Sequence, residues 1–241
     1  MALDFNHGAT KQRTGVPSTE QLDRAADSGR DKPRDYLGGS RLGEECARKL
    51  QYEYEGRQGQ PLTAKLQIIF ATGHALEDTL ADMLKRVFDL RTHKANGGQF
   101  GFETAGGRIR GHIDGVVCGG PDELGPYPYL WENKAVGGKY WQAIVKNGVR
   151  VERPVYAGQV ATYQAYMGLE ANPALFSFIN RDTGQIAFER IPFDAKLAQE
   201  CTDRGVQIIQ ATEAGERLPR AYASADFFKC RFCDFREECW S

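Results

Sequence analysis

Residues 111–117 read GHIDGVV and residues 130–136 read LWENKAV. Both read as β-strands: short apolar runs carrying a few polar side chains, bounded by Gly-rich and Pro-rich turns. Side chains alternate along a strand, so Glu132 and Lys134 share one face and Asn133 takes the other. Asp114 sits among apolar neighbours in the first run. Charged groups inside apolar strands are costly to bury unless they are paired or bound to a metal ion. A simple Glu–Lys ion pair on an exposed strand face also accounts for Glu132 and Lys134 taken alone. The stretch between Asp114 and Glu132 has room for one hairpin connection, so two adjacent strands would bring Asp114, Glu132 and Lys134 together. Hard cations such as Mg²⁺ or Mn²⁺ choose oxygen ligands, and a lysine beside them can position or deprotonate an attacking water.

Outward from these strands the pattern is mixed. Ser40 is a candidate N-cap for a helix in which Leu42, Cys46 and Leu50 recur at four-residue spacing. A second helix is expected through residues 63–90, with Leu66, Ile69, Gly73, Leu76, Leu80, Met83 and Val87 forming an apolar stripe. His74 and Glu77 lie one turn apart at its edge. QFGFET (99–104), RIRGHIDGVV (108–117) and YLWENKAV (129–136) are expected strands. A helix through residues 154–169, ended by Gly168, follows, then strands ALFSFIN (174–180) and IAFERIPF (186–193), then a helix over 195–216. This order gives an α/β domain with a central mixed sheet flanked by helices. Residues 1–37 read as a flexible polar arm and residues 38–241 as one domain.

The 241 residues are 41% hydrophobic, enough for a sizeable core, and carry a formal net charge of −1. Overall charge therefore gives no support for polyanion binding. Lys139, Lys146, Arg150 and Arg153 form a local basic run, which a solvated charged face explains equally well. No apolar stretch resembles a membrane span or a signal peptide, so a soluble cytoplasmic protein is expected. In that compartment thiols stay reduced, and the clustered cysteines among the six read as metal ligands rather than disulfides.

Together, GHIDGVV and WENKAV resemble the active-site signature of the PD-(D/E)XK nuclease superfamily, with Ile113 where the superfamily's name has proline. His74 in GHALEDTL is similar to the helical histidine of the RecB-like branch. Gln159 and Tyr163 in QVATY match its Gln-x-x-x-Tyr motif, with Tyr156 and Tyr166 near the same helix face. The resemblance implies a metal-dependent DNA exonuclease acting on single-stranded or end-bearing double-stranded DNA, in recombination, repair, replication or spacer capture. Asp114, Glu132 and His74 would bind Mg²⁺ or Mn²⁺, with Glu77 in a supporting role. Lys134 would orient water, and Gln159 and Tyr163 would hold DNA or support Lys134. A non-catalytic DNA-binding or complex-forming subunit, and an endonuclease with structural zinc, are the alternatives. Protein partners of recombination or CRISPR type, a homo-oligomer, and a phage source (hence host cytoplasm) are compatible with the branch.

The C-terminal CRFCDFREECW places Cys230, Cys233 and Cys239 within ten positions. One RecB-like branch, which includes AddB-type nucleases and CRISPR-associated exonucleases, closes its domain with an iron–sulfur cluster on one early and three late cysteines. Cys46 fits the early position. Cys118 and Cys201 are left as ordinary thiols. Four thiolates suit a [4Fe–4S] cluster or Zn²⁺. Linking Cys46 to the tail closes most of the chain into a loop, worth roughly 5 kcal/mol on the loop-entropy model.

Overall fold

The computed structural model describes residues 15–29 and 32–241. In chain order the elements are α1 (Thr19–Ser28), β1 (Leu37–Gly38), α2 (Ala47–Tyr54), α3 (Ala64–Leu84), β2 (Leu90–Arg91), β3 (Gly101–Thr104), β4 (Ile109–His112), β5 (Gly115–Val117) and β6 (Tyr129–Val136). They continue with α4 (Gly138–Asn147), α5 (Val149–Glu152), α6 (Pro154–Met167), β7 (Ala174–Asn180), β8 (Ile186–Ile191), α7 (Ala195–Glu213), α8 (Phe228–Arg231) and α9 (Arg236–Trp240).

The main sheet has the order β2-β5-β6-β7-β8, antiparallel except for the parallel β6–β7 pair. A small sheet, β1-β4-β3, stands beside it. β7 is buried along its whole length because helices cover both faces, whereas edge strand β8 alternates between exposed and half-buried residues. On one face of the main sheet Leu130, Val136, Phe176 and Phe178 pack with Ile144, Val149 and Val160 of α4 to α6. On the other, Trp131, Tyr129, Leu175 and Ile179 pack with Leu80, Ala81 and Leu84 of α3. A third cluster joins Leu37, Leu50 and Ile109 to Cys201, Ile208 and Ile209 of α7. β6 is pinned to β7 by a buried chain: Trp131 Nε1 donates to Ser177 Oγ at 3.0 Å, which donates to Asn133 Oδ1 at 2.9 Å.

Several sequence expectations need correction. The helix expected from Ser40 is a 3₁₀ turn (Gly39–Arg41) followed by α2, whose N-cap is Cys46. The turn is kept tight because Gly43 lies against α6, where a Cβ on Gly43 would meet the Val155 carbonyl at 2.8 Å. The long helix ends at Leu84, and Leu90 goes into a strand against Val117. Of the expected apolar stripe only Leu80 is buried, Leu66, Met83 and Val87 being exposed; the face the sheet covers runs through Leu80, Ala81 and Leu84. The expected strand 108–117 breaks at Ile113–Asp114 into β4 and β5, which serve different sheets. The polar arm contains α1, capped by Ser18 and docked on the start of α3. Asp23 and Asp27 accept the backbone N–H groups of Ala64 and Leu62, each at 2.8 Å. The arm reading for residues 1–14 and 30–31 lies outside the described residues. Gly168 ends α6 in the left-handed conformation (φ 66°, ψ 35°), the stop the sequence signals.

Candidate active site

Asp114 stands at the corner where the chain leaves the small sheet and enters the large one. Ile113, 1% exposed, anchors that corner in the core. Asp114 Oδ2 accepts the backbone N–H of Asn133 at 2.7 Å, tying the corner to β6. β5 and β6 are adjacent and antiparallel, with Gly115 opposite Trp131. Glu132 and Lys134 project from β6 toward α6, as their two-residue spacing requires. There Gln159 and Tyr163, four apart on one helix face, meet them.

Glu132 is fully buried. Its Oε1 accepts hydrogen bonds from Lys134 Nζ and Gln159 Nε2. Its Oε2 is buried with no hydrogen-bond partner. Burial, reinforced by Asp114, pushes the Glu132 carboxyl up to about 8, with Lys134 opposing. Burial alone would lower the Lys134 ammonium, but Glu132 and Asp114 outweigh it and hold the charge firmly. Lys134 Nζ also donates to the Asn133 carbonyl at 3.0 Å and lies 5.8 Å from the Tyr156 ring centre. Burial, then the Glu132 charge, raises the Tyr163 phenol, so it stays a hydrogen-bond donor. Tyr163 is seated by Phe102 in edge-to-face contact and by Gly111, where a Cβ would meet the two rings at 2.5–2.8 Å.

These five residues line a cavity of about 210 Å³. Arg34, Tyr36, Ser40, Arg110 and His112 also line it, and the sequence reading missed them. The two-residue steps from Arg110 to His112 to Asp114 were a usable signal. Nothing local marked Arg34 and Tyr36, which lie in the segment read as an arm. Both Arg34 and Arg110 stack over the Tyr36 ring, at 5.6 and 4.9 Å, and put positive charge at the cavity mouth.

The structure separates His74 from Glu77. His74 lies on the exposed side of α3 and does not line the cavity. Glu77 is half-buried, and burial followed by the Asp114 charge pushes its carboxyl up to about 7. Among the described residues, no three His, Cys, Asp or Glu side chains stand in ready metal-binding geometry. The donor chemistry at β6 fits a hard cation all the same. Glu132 Oε2 is unpartnered, and the Asp114 charge raises both the Glu132 and the Glu77 carboxyls, a repulsion that a bound cation would relieve.

The four cysteines come from two chain segments that dock together. Arg48 of α2 donates to the Leu218 carbonyl at 2.6 Å and approaches Cys239 Sγ at 4.0 Å. Glu45, next to Cys46, binds Lys229 at 2.6 Å and the Tyr222 hydroxyl at 2.7 Å. Tyr52 packs on Phe235. Burial and then Cys46 raise the Cys230 thiol, with Cys239 adding to it. Burial likewise raises Cys233, with Cys46 among the contributors. Cys201 is wholly buried and Cys118 partly so.

No family model matches the chain, and no curated protein matches it in sequence. Solved structures do. An alkaline exonuclease (LHK-Exo) in complex with dAMP is 18% identical over 82% of this chain and 94% of its own, with a TM-score of 0.50. A second structure of this alkaline exonuclease, from Laribacter hongkongensis, gives 17% identity, the same coverage and a TM-score of 0.49. The protein SSO0001 is 18% identical over 92% of this chain and 96% of its own, at 0.48. The chain thus shares the mixed α/β fold of a nuclease. No described helix is long and apolar enough to cross a membrane.

Proposed function

We propose that the chain is a metal-dependent DNA exonuclease of the RecB-like PD-(D/E)XK type. The observation that carries this reading is Glu132. It is a wholly buried carboxylate with one oxygen held by Lys134 and Gln159 and the other unpartnered, beside Asp114 on the floor of a cavity. Asp114 and Glu132 would hold Mg²⁺ or Mn²⁺, with His74 as the further ligand the sequence resemblance implies. When bound, the cation supplies Lewis-acid polarisation and lowers the pKa of water. Gln159 and Lys134 occupy one oxygen of Glu132 and leave the other for the cation. Lys134, held charged, orients the attacking water and steadies charge developing on phosphate. Tyr163 donates its phenol proton as a hydrogen bond to the strand. Arg34 and Arg110 attract the phosphates at the mouth.

Cys46, Cys230, Cys233 and Cys239 would hold a [4Fe–4S] cluster, with Zn²⁺ as the alternative occupant. Its work would be structural, fastening the tail to α2 in a compartment where a disulfide is reduced. Anaerobically purified protein should be brown, and Cys46→Ser should bleach it.

The decisive assay uses end-labelled linear DNA and the same strand circularised, with Mn²⁺. The linear form should be degraded and the circle persist. Lys134→Ala should remain folded and lose cleavage. Loss of the circle at the linear rate, or full activity in Lys134→Ala, would refute the exonuclease reading.

A further inference from the structure

The basic run that the active site does not absorb lies on α4, α5 and the start of α6. Lys139 and Lys146 are exposed and make no ion pair among the described residues. Arg150 is tied to Asp194 at 2.6 Å. Arg153 behaves differently. Its guanidinium lies 3.7 Å from the centre of the Tyr140 ring. Its Nε is buried without a hydrogen-bond partner. Tyr140 itself is 52% exposed. The arrangement is therefore an aromatic ring backed by a guanidinium on one side and open to solvent elsewhere. Lys139 and Lys146, without ion pairs among the described residues, stand on the same helix as the ring.

Tyr156, half-buried against Phe176, links this surface to the catalytic groups. Arg153 caps α6 and Tyr156 lies three residues on, on the same helix face. The Tyr156 ring in turn carries the Lys134 ammonium at 5.8 Å. Cation and aromatic thus alternate outward from the catalytic lysine: Lys134, Tyr156, Arg153, Tyr140. Between residues 137 and 156 the cations are Lys139, Lys146, Arg150 and Arg153, against Glu152 as the sole acid. Glu152 is engaged by Asn147 at 2.6 Å. From other elements Asp182 faces the Gly138 N–H, Glu189 the Val149 N–H and Asp194 holds Arg150, so what this surface offers a polyanion is Lys139 and Lys146, the two cations without a carboxylate partner among the described residues. An open ring favours an unpaired base, because duplex bases are already stacked.

We infer that the α4–α5 surface binds single-stranded DNA several nucleotides from the scissile bond, with Tyr140 as the stacking platform and Lys139 and Lys146 on phosphates. Arg153 is a positioning residue that holds the Tyr140 ring flat. The inference rests on the nuclease reading for its place in the reaction, but binding tests it independently.

The experiment measures fluorescence anisotropy of a labelled oligo-dT of about 20 nucleotides with the full chain, in Ca²⁺ to withhold cleavage. Salt is titrated, and a blunt duplex is the comparison. Tyr140→Ala should weaken single-strand binding by about 5- to 150-fold, the range measured for loss of one stacked base. It should leave the salt slope unchanged, and Tyr140→Phe should restore affinity. Lys139→Ala and Lys146→Ala should each lower the salt slope by about 0.7. With Mn²⁺ the Tyr140→Ala loss should appear in KM rather than kcat. The same protein's rate on bis(4-nitrophenyl) phosphate serves as reference for an intact catalytic centre. Should Tyr140→Ala fail to fold, Tyr140→Leu fills similar volume without the flat ring and carries the same expectation. Wild-type-like binding by Tyr140→Ala would overturn the proposal, as would equal losses on strand and duplex. Protein that binds the strand through Tyr140 yet leaves linear DNA intact with Mn²⁺ would uphold this surface and refute the nuclease reading.

Discussion

Glu77→Gln should stabilise the metal-free protein, and do so only at high pH. Glu77 sits half-buried on α3, where burial and the Asp114 charge raise its carboxyl from 4.5 to about 7. The folded state therefore keeps that proton longer than the unfolded chain. Stability is present in full below pH 4.5 and is lost as pH rises through 7. Glutamine removes the titration and the repulsion while keeping the shape. Moving a carboxyl from 4.5 to about 7 corresponds to at most about 3.4 kcal/mol when it is fully ionised. Solvent at this half-exposed position should reduce that to about 1–2 kcal/mol. For a chain of this size the gain is about 2–8 °C in Tm. The assay is thermal unfolding followed by circular dichroism in EDTA, at about pH 5 and about pH 8.5, with wild type and variant in parallel. Mn²⁺ should then narrow the gap at high pH, because a cation near Asp114 also relieves Glu77. A Tm difference that is the same at both pH values, or a less stable variant at pH 8.5, would refute this account.

Other predictions follow from packing and hydrogen bonding. Gly111→Ala puts a methyl within 2.5–2.8 Å of the Phe102 and Tyr163 rings. It should cost about 1–3 kcal/mol in chemical denaturation and displace Tyr163, lowering cleavage. Gln51 is wholly buried between α2 and the end of α7, bonding Thr212 Oγ1, the Glu216 carbonyl and the Leu218 N–H at 3.3, 2.6 and 3.0 Å. Gln51→Leu leaves the Glu216 and Leu218 groups unpaired and should destabilise by about 2–4 kcal/mol, measured by urea unfolding. Asp23→Ala removes the bond to the Ala64 N–H at the start of α3. It should cost about 1 kcal/mol and increase amide exchange in α1 before the core is affected. Cys201→Ala, in a site with no metal role, should leave colour and metal content unchanged, whereas Cys233→Ser should reduce both by elemental analysis.

The amino-acid sequence by itself settled which neighbouring side chains share a face and where one helix stops. Two-residue steps put Glu132 and Lys134 on one face of β6, and four-residue steps put Gln159 and Tyr163 on one face of α6. Gly168 marked the helix end, because only a residue at ease with positive φ can turn the chain there. Those are local facts of backbone geometry, and short-range pattern carries them. The tertiary structure decided the rest. Only packing between two sheets breaks the 108–117 run at Ile113–Asp114, a change of partner that the run's own apolar pattern does not encode. Arg34 and Tyr36 enter the cavity because β1 pairs with β4 across some seventy residues, so no local spacing could announce them. His74 and Glu77 are one turn apart and look equivalent in sequence. Which of them feels Asp114 depends on the rotation of α3 against the sheet, set by Leu80, Ala81 and Leu84 in the core. The half-exposed stripe of α3 teaches the same point: amphipathic periodicity records a face able to be buried, and only the neighbours determine how much of it is.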